Sequence, residues 1–168
     1  FMVSSSTSPS QSKEQRTSPS EEYDMARFFA VEHIGPLKLG MPAKQVIAAL
    51  GPPATKGVAE DSPATGEVTQ SWSYPSKGLV LSVSLHHSTK APLTLRSVRA
   101  MSPCTLRSQR GISIGSAVED VRAAYGSMED TEATKSADRF VAGSIYGGLI
   151  FRFESGRVTS MFLGAVAE

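Results

Sequence analysis

Residues 38–53, KLGMPAKQVIAALGPP, decide the fold of this chain. Four apolar residues in this stretch recur at positions i, i+3, i+4 and i+7, the spacing of one face of an α-helix. They are Ala43, Val46, Ile47 and Leu50. Pro42 is expected in the first helical turn, where a missing N–H costs nothing, and Gly51 with the two following prolines is expected to end the helix. The glycines and prolines therefore predict the two ends of a short amphipathic helix rather than a ligand-binding loop.

A second stretch further along the chain carries the same pattern. Residues 110–126, RGISIGSAVEDVRAAYG, align without a gap with residues 35–51, GPLKLGMPAKQVIAALG. The matched pairs are Leu37/Ile112, Leu39/Ile114, Gly40/Gly115, Val46/Val121, Ala49/Ala124 and Gly51/Gly126. In the second stretch Ser116 precedes Glu119 by three residues, which predicts a capping box at the start of a second helix. Gly126 is predicted to end that helix as Gly51 ends the first.

Alternating apolar residues follow each helix and are typical of half-buried antiparallel strands. YPSKGLVLSV (74–83) is similar to YGGLIFRF (146–153), and LRSVRA (95–100) is similar to VTSMFL (158–163). Strict alternation places Arg96, Val98 and Ala100 on one strand face. Gly147-Gly148 and Ser155-Gly156 are typical of turns, the second at hairpin length. The order of these segments predicts two tandem helix-loop-three-strand repeats.

One repeat alone has little core. Two repeats are therefore expected to form one continuous antiparallel sheet with helices on one face, an α+β fold. The repeats are predicted to span residues 34–101 and 106–165 as one combined domain. Residues 1–20 are rich in Ser, Thr, Pro and charge and predict a disordered tether, either the remainder of an export leader or an artificial addition. Residues 21–33 are predicted to form an arm or a short helix.

The charge total favours neither nucleic acid nor an acidic ligand, because 17 Lys and Arg balance 16 Asp and Glu at a formal net charge of +1. Its distribution is uneven. Residues 68–118 contain no acid but carry Lys77, Lys90, Arg96, Arg99, Arg107 and Arg110. This region is either a locally positive surface that steers an acidic partner or an ordinary solvated one.

The single cysteine, Cys104, excludes an internal disulfide and is expected to be an inert, buried thiol. No apolar run in the sequence approaches the roughly 18 residues that a membrane helix needs. We therefore predict no membrane span.

The sequence GMPAKQVIAALGPP, followed by SWSY, GLVLSV and a closing strand, resembles the BamE (SmpA) and OsmE group of small bacterial envelope lipoproteins. Doubled along residues 34–165, it is similar to the β-lactamase inhibitory protein fold. The resemblance implies a periplasmic or extracellular protein that binds another protein and has no catalytic residues, with a lipid tether in the precursor as one form of attachment. Pro42 departs from the helix-capping Thr of the family, and Cys104 is internal rather than at a lipid-attachment site.

The sheet face opposite the helices is the predicted partner surface. If Leu79, Leu81 and Val83 pack under the helices, alternation turns the residues between them outward. The predicted partner-binding residues are Arg99, Arg152, Phe162, Ser82, Ser84, Trp72 and Tyr74. For Trp72 and Tyr74 the face is undetermined, so a place in the core is an equal alternative. Arginine and aromatic groups on such a face favour another protein, with an acidic surface, as the partner.

No pattern assembles a catalytic, cofactor or metal site. His86 and His87 are adjacent on a strand and point to opposite faces, so they cannot chelate one metal ion. The pairs Glu119-Asp120 and Glu129-Asp130 diverge in the same way. We therefore predict a non-enzymatic, cofactor-free binding module, inhibitor-like or immunity-like. Two alternatives stay open: a structural accessory lipoprotein supporting an assembly machine, and a small-ligand carrier or enzyme with its site in loops 54–69 and 127–139.

Overall fold

The computed structural model describes residues 31–86, 92–132, 134, 137–144 and 147–164. The predicted tether, most of the predicted arm, and His87 lie outside the described residues. None of the helices found in the described part has the length and apolar content needed to cross a membrane. The elements in chain order are α1 (Ala43–Leu50), β1 (Thr55–Lys56), β2 (Glu60–Ser62), β3 (Glu67–Tyr74), β4 (Leu79–His86), β5 (Thr94–Met101), α2 (Val118–Tyr125), β6 (Arg139–Ser144), β7 (Gly147–Glu154) and β8 (Arg157–Gly164).

The strands of the described residues form one eight-stranded antiparallel sheet, which confirms an α+β fold. Its order is β1-β3-β4-β5-β8-β7-β6, and β2 also pairs with β3. Two meanders, β3-β4-β5 and β6-β7-β8, thus meet at the β5–β8 pair. At this junction Arg99 lies opposite Phe162.

The start of each helix is tied to the last strand of its own meander. The Gly40 N–H donates to the Leu95 carbonyl and the Gly115 N–H donates to the Val158 carbonyl, both at 2.8 Å. Both glycines have positive φ, 85° and 92°, which glycine adopts without the strain of a side chain. The backbone conformation at each helix entry therefore favours glycine at these two positions.

One apolar cluster connects the sheet with both helices. It contains Val46 of α1, Val121 and Tyr125 of α2, and alternating residues of the strands. The strand members are Trp72, Tyr74, Leu79, Leu81, Val83, Leu95, Val98, Ala100, Phe140, Ala142, Leu149, Phe151, Phe153, Val158, Met161 and Leu163. The period-two patterns therefore report the core face correctly for most positions.

The N-terminal ends of the helices differ from the prediction. Pro42 is the N-cap of α1, one position before the first turn. The capping box does not form, because Ala117 is the N-cap of α2 and makes no side-chain cap hydrogen bond. The Ser116 hydroxyl instead accepts the N–H of Ser113 at 3.0 Å. Ala117 forms an isolated β-bridge with Arg157 directly before the first residue of α2. Ser116 precedes this bridge and is not the N-cap.

The C-terminal ends also differ from each other. Gly51 ends α1 with φ 81°, as predicted. Gly126 is the C-cap of α2, so the predicted end of this helix is confirmed, but its φ of −57° is right-handed rather than left-handed, and the chain continues through a 3-10 turn at Gly126–Met128. Ile47, predicted on the core face of α1, is 37% exposed.

Bulges and hairpins account for the remaining differences. The register shift between Ser82 and Val83 lets Leu95, rather than Arg96, join Val98 in the core. Gly147-Gly148 begins β7 instead of forming a turn. Ser155-Gly156 does form the two-residue turn, with φ of 52° and 75°, the signs that a tight hairpin requires.

Cys104 is buried, as predicted. Burial raises the pKa of its thiol, and a backbone hydrogen bond at Leu106 partly opposes that rise. The thiol therefore stays protonated and poorly reactive near neutral pH.

Candidate functional site

The face of the sheet opposite the main core carries a continuous row of side chains across five strands. Register places Val80 beside Arg99, Arg99 beside Phe162, Phe162 beside Ile150, and Ile150 beside Val141. Each of these residues alternates with core residues on its own strand, so its side chain points away from the main core. We call this side of the sheet the open face.

Arg99 and Phe162 interact at the centre of the open face. The Arg99 guanidinium carbon lies 5.5 Å from the centroid of the Phe162 ring, within the range of a cation–π contact. Phe162 is half-buried because it packs on a small second cluster formed by Val141 and Ile150. The aromatic ring is thus held in place from one side, and the exposed arginine lies along the other.

A hollow of about 330 Å³ opens beside this pair. It is lined by Ser71, Val80, Leu81, Ser82, Ser97, Arg99, Met101 and Phe162. The serines leave space between the larger side chains, which creates the concavity. Among these lining residues Arg99 is the only ionisable one, so the hollow contains no acid and base that could share a proton transfer.

The structure separates the predicted surface residues of the strands into three places. Arg99, Phe162 and Ser82 line the hollow together. Arg152 is exposed on β7, where it lies opposite Ser160 of β8. Ser84 has the expected alternation but is only 4% exposed, between neighbouring strands, so it is not accessible to a partner.

Trp72 and Tyr74 lie in the core, which resolves the alternative left open by the sequence. Their exposed fractions are 2% and 3%. Trp72 Nε1 donates to Gln70 Oε1 at 2.8 Å, and the Tyr74 hydroxyl donates to the Gly51 carbonyl at 3.0 Å. Burial raises the pKa of Tyr74. Large aromatic groups with satisfied polar atoms stabilise the interior, and we remove both residues from the candidate surface.

Lys90 lies outside the described residues, and three of the described arginines in the acid-free region have partners away from the hollow. Arg96 pairs with Glu67 of β3 at 3.5 Å. Arg107 donates to the Gly111 carbonyl at 3.1 Å, away from the sheet. Arg110 donates to the Ala124 carbonyl at 2.7 Å at the end of α2. Of the cations in this region that the structure describes, Arg99 is the one that lines the hollow.

A buried polar cluster surrounds the Tyr125 hydroxyl, and the sequence did not indicate it. Glu32 is 2% exposed, and its Oε1 accepts the Gln109 N–H at 3.0 Å and the His33 N–H at 3.2 Å. The Tyr125 hydroxyl oxygen lies 3.1 Å from Glu32 Oε2 and 2.8 Å from Ser108 Oγ. A single glutamate in the sequence VEHI has no spacing signal that could predict these partners.

The groups of this polar cluster are enclosed in the protein. Ser108 is 4% exposed, and its hydroxyl accepts the Ile112 N–H at 3.1 Å. Burial is the main reason that the pKa of Tyr125 is raised, and the negative charge of Glu32 adds to the rise. The hydrogen bonds from Ser108 and from the Arg110 backbone oppose it. The cluster therefore fastens the segment before α1 to α2 through an enclosed, neutral phenol.

Replacing Tyr125 with Phe is expected to change the pH dependence of stability. Because the pKa is raised, the folded protein holds the Tyr125 proton more tightly than the unfolded chain does. The stabilisation that results is complete below the ordinary pKa of 10.0 and is lost as pH rises above it. At pH 7, Tyr125→Phe should lower the free energy of unfolding by about 1–3 kcal/mol, because Glu32 loses a hydrogen-bond donor. Above pH 10 the free energy of unfolding of wild type should fall by up to about 1.4 kcal/mol more per pH unit than that of the variant. Urea unfolding from pH 7 to 11 measures both, and parallel curves for the two proteins would contradict the prediction.

The fold and the site together define an α+β protein with a single antiparallel sheet and an open, arginine-bearing face. Comparison of the chain with protein-family models, with curated proteins and with solved structures found no match.

Proposed function

We propose that this protein is a non-enzymatic binding module that holds another protein on its open face, as inhibitors and immunity proteins do. The observation that carries the proposal is the hollow beside Arg99 and Phe162. Arginine and aromatic side chains are enriched among the residues that dominate protein–protein binding energy. The exposed arginine also favours an acidic surface on the partner.

We further propose that the chain is a tandem duplication with both helices on one face of the sheet. The entry hydrogen bonds of Gly40 and Gly115 match, and so do the bulges of the β4–β5 and β7–β8 pairs. Arg99 and Phe162 occupy equivalent positions in the two repeats and lie opposite each other at the junction, as a two-fold relation between the repeats requires. Buried residues of both helices belong to one cluster, which supports their placement on the same face.

This duplication supports the proposed relation to the BamE and OsmE group and to the β-lactamase inhibitory protein fold. On that resemblance we also propose a periplasmic or extracellular location. Cell fractionation of the producing organism tests the location separately from the binding function.

Arg99→Glu is the sharpest test of the proposed binding face. The variant reverses the charge at the centre of the hollow, so binding of the partner should weaken at least about 30-fold, the equivalent of a hot-spot residue of ~2 kcal/mol. Arg99 is exposed, so the melting temperature should change by only a few degrees. The partner is first captured from an extract of the producing cells with wild-type protein and then purified. Calorimetric titration of the purified partner measures the affinity of each variant.

Arg122→Glu is the matched control. Arg122 is exposed on α2, and its substitution changes the net charge by the same amount as Arg99→Glu does. It should bind like wild type. Equal binding by wild type and Arg99→Glu would show that the open face is not the binding surface. Phe162→Ala should also weaken binding, but with some loss of stability because the ring packs on Val141 and Ile150.

A further inference from the structure

Two arginines lie directly opposite each other towards the β6 edge of the open face. Arg139 of β6 pairs in register with Arg152 of β7. Each precedes or follows a core phenylalanine, Phe140 or Phe151, so alternation turns both guanidinium groups to the open face. Opposed residues on antiparallel strands have Cβ atoms about 4.5–5.5 Å apart. The two arginine side chains therefore start from neighbouring positions on the same face of the sheet.

Neither guanidinium is neutralised by the part of the protein that the structure describes. Arg139 and Arg152 form no ion pair and no side-chain hydrogen bond with a described residue. The Nε atom of Arg139 is buried and has no acceptor among the described residues. Glu154, the acid nearest to Arg152 along the strand, lies opposite Arg157 instead, beyond the bulge.

Both features are unfavourable in the protein alone. Like charges directly opposite each other destabilise a sheet, and a buried donor without an acceptor loses its hydration without compensation. Both would be relieved by one group: an oxyanion placed between the two guanidinium groups. Arginine suits this role because its planar N–H groups match the oxygens of carboxylates and phosphates.

A third group extends the arrangement towards the hollow. Arg152 lies opposite Ser160, and Ser160 lies opposite Met101, which lines the hollow. The Ser160 hydroxyl is half-buried on the same face and makes no side-chain hydrogen bond with a described residue. We propose that Arg139, Arg152 and Ser160 form an oxyanion-binding site on the open face, distinct from the hollow beside Arg99.

The chemistry of this site fits a carboxylate of an acidic side chain or a free phosphate. The two sources are separated by calorimetric titration at low ionic strength with two probes, inorganic phosphate and a pentaglutamate peptide. Binding of phosphate identifies a small-anion site, and binding of the peptide alone identifies a site for acidic side chains. In either case Arg152→Gln and Arg139→Gln should each weaken binding at least tenfold, whereas Arg122→Gln on α2 should leave it unchanged.

Thermal unfolding provides a second readout that does not depend on calorimetry. Arg152→Gln removes one of two opposed charges, so in anion-free, low-salt buffer it should melt at a higher temperature than wild type. The bound probe should raise the melting temperature of wild type but not that of the variant. The proposal is overturned if neither probe exceeds the effect of sodium chloride at matched ionic strength, or if Arg122→Gln loses as much binding as Arg152→Gln. Retention of probe binding by Arg99→Glu would separate this site from the proposed protein-binding hollow.

Discussion

Gly78→Ala is expected to destabilise the protein by more than about 4 kcal/mol, which is a large share of the stability of a typical domain. Gly78 ends the 3-10 turn Pro75–Lys77 with φ 64° and ψ 33°, a left-handed conformation. A Cβ atom at this position would lie 2.0 Å from the Met101 carbonyl oxygen and 2.6 Å from the Cys104 nitrogen. Both neighbours are backbone atoms, so relief requires movement of the chain at the end of β5. Urea unfolding followed by circular dichroism measures the loss.

Gly115→Ala is the matched control for the steric part of this effect. Gly115 also has positive φ, 92°, but no heavy atom lies within 4 Å of its Cβ position. Its substitution should cost only the left-handed backbone penalty of about 1–2 kcal/mol. Equal losses in the two variants would mean that the close approach at Gly78 contributes nothing.

Trp72→Ala is expected to cost about 3–5 kcal/mol because it removes a large buried side chain and leaves a cavity. Trp72 is 2% exposed in the main core, and its Nε1–H bond to Gln70 would also be lost. Lys56 Nζ lies 4.7 Å from the indole ring, so a weak cation–π contact disappears as well. Trp72 is the only tryptophan, so unfolding is followed by circular dichroism rather than by fluorescence.

Two controls separate core packing from other effects of this substitution. Val58→Ala changes a residue that is 89% exposed and should stay within about 0.5 kcal/mol of wild type. Trp72→Phe keeps a buried ring and should cost less than Trp72→Ala, while leaving partner capture through Arg99 intact. A wild-type melt for Trp72→Ala would contradict the core assignment.

Local periodicity predicted the parts of the fold that depend on neighbours in the chain. The alternation from Leu79 to Val83 reports which residues are buried, because a side chain's face follows directly from the backbone geometry. The helical spacing from Ala43 to Leu50 does so for Ala43 and Val46 but not for the exposed Ile47. The ends of α2 were predicted less well. Ala117 forms a bridge with Arg157 of β8, a contact that no local pattern contains. Gly126 caps the helix in a right-handed rather than a left-handed conformation.

The residues of the candidate site were likewise predicted only in part. Alternation predicted that Arg99 and Phe162 face outward, but it could not assign Trp72 and Tyr74, since a strand has two faces and its pattern does not say which is covered. Ser84 has the predicted alternation yet is buried. Burial depends on what surrounds a strand in three dimensions.

The amino-acid sequence alone was enough to predict an α+β fold with one antiparallel sheet and the alternation of buried and outward-facing residues along its strands. The tertiary structure set the distances between them. Pairing of β5 with β8 brings Arg99 against Phe162, pairing of β6 with β7 brings Arg139 against Arg152, and packing brings Glu32 to Tyr125. Strand register and the packing of distant segments are fixed only when the whole sheet forms, because each depends on hydrogen bonds and burial contributed by residues far apart in the chain.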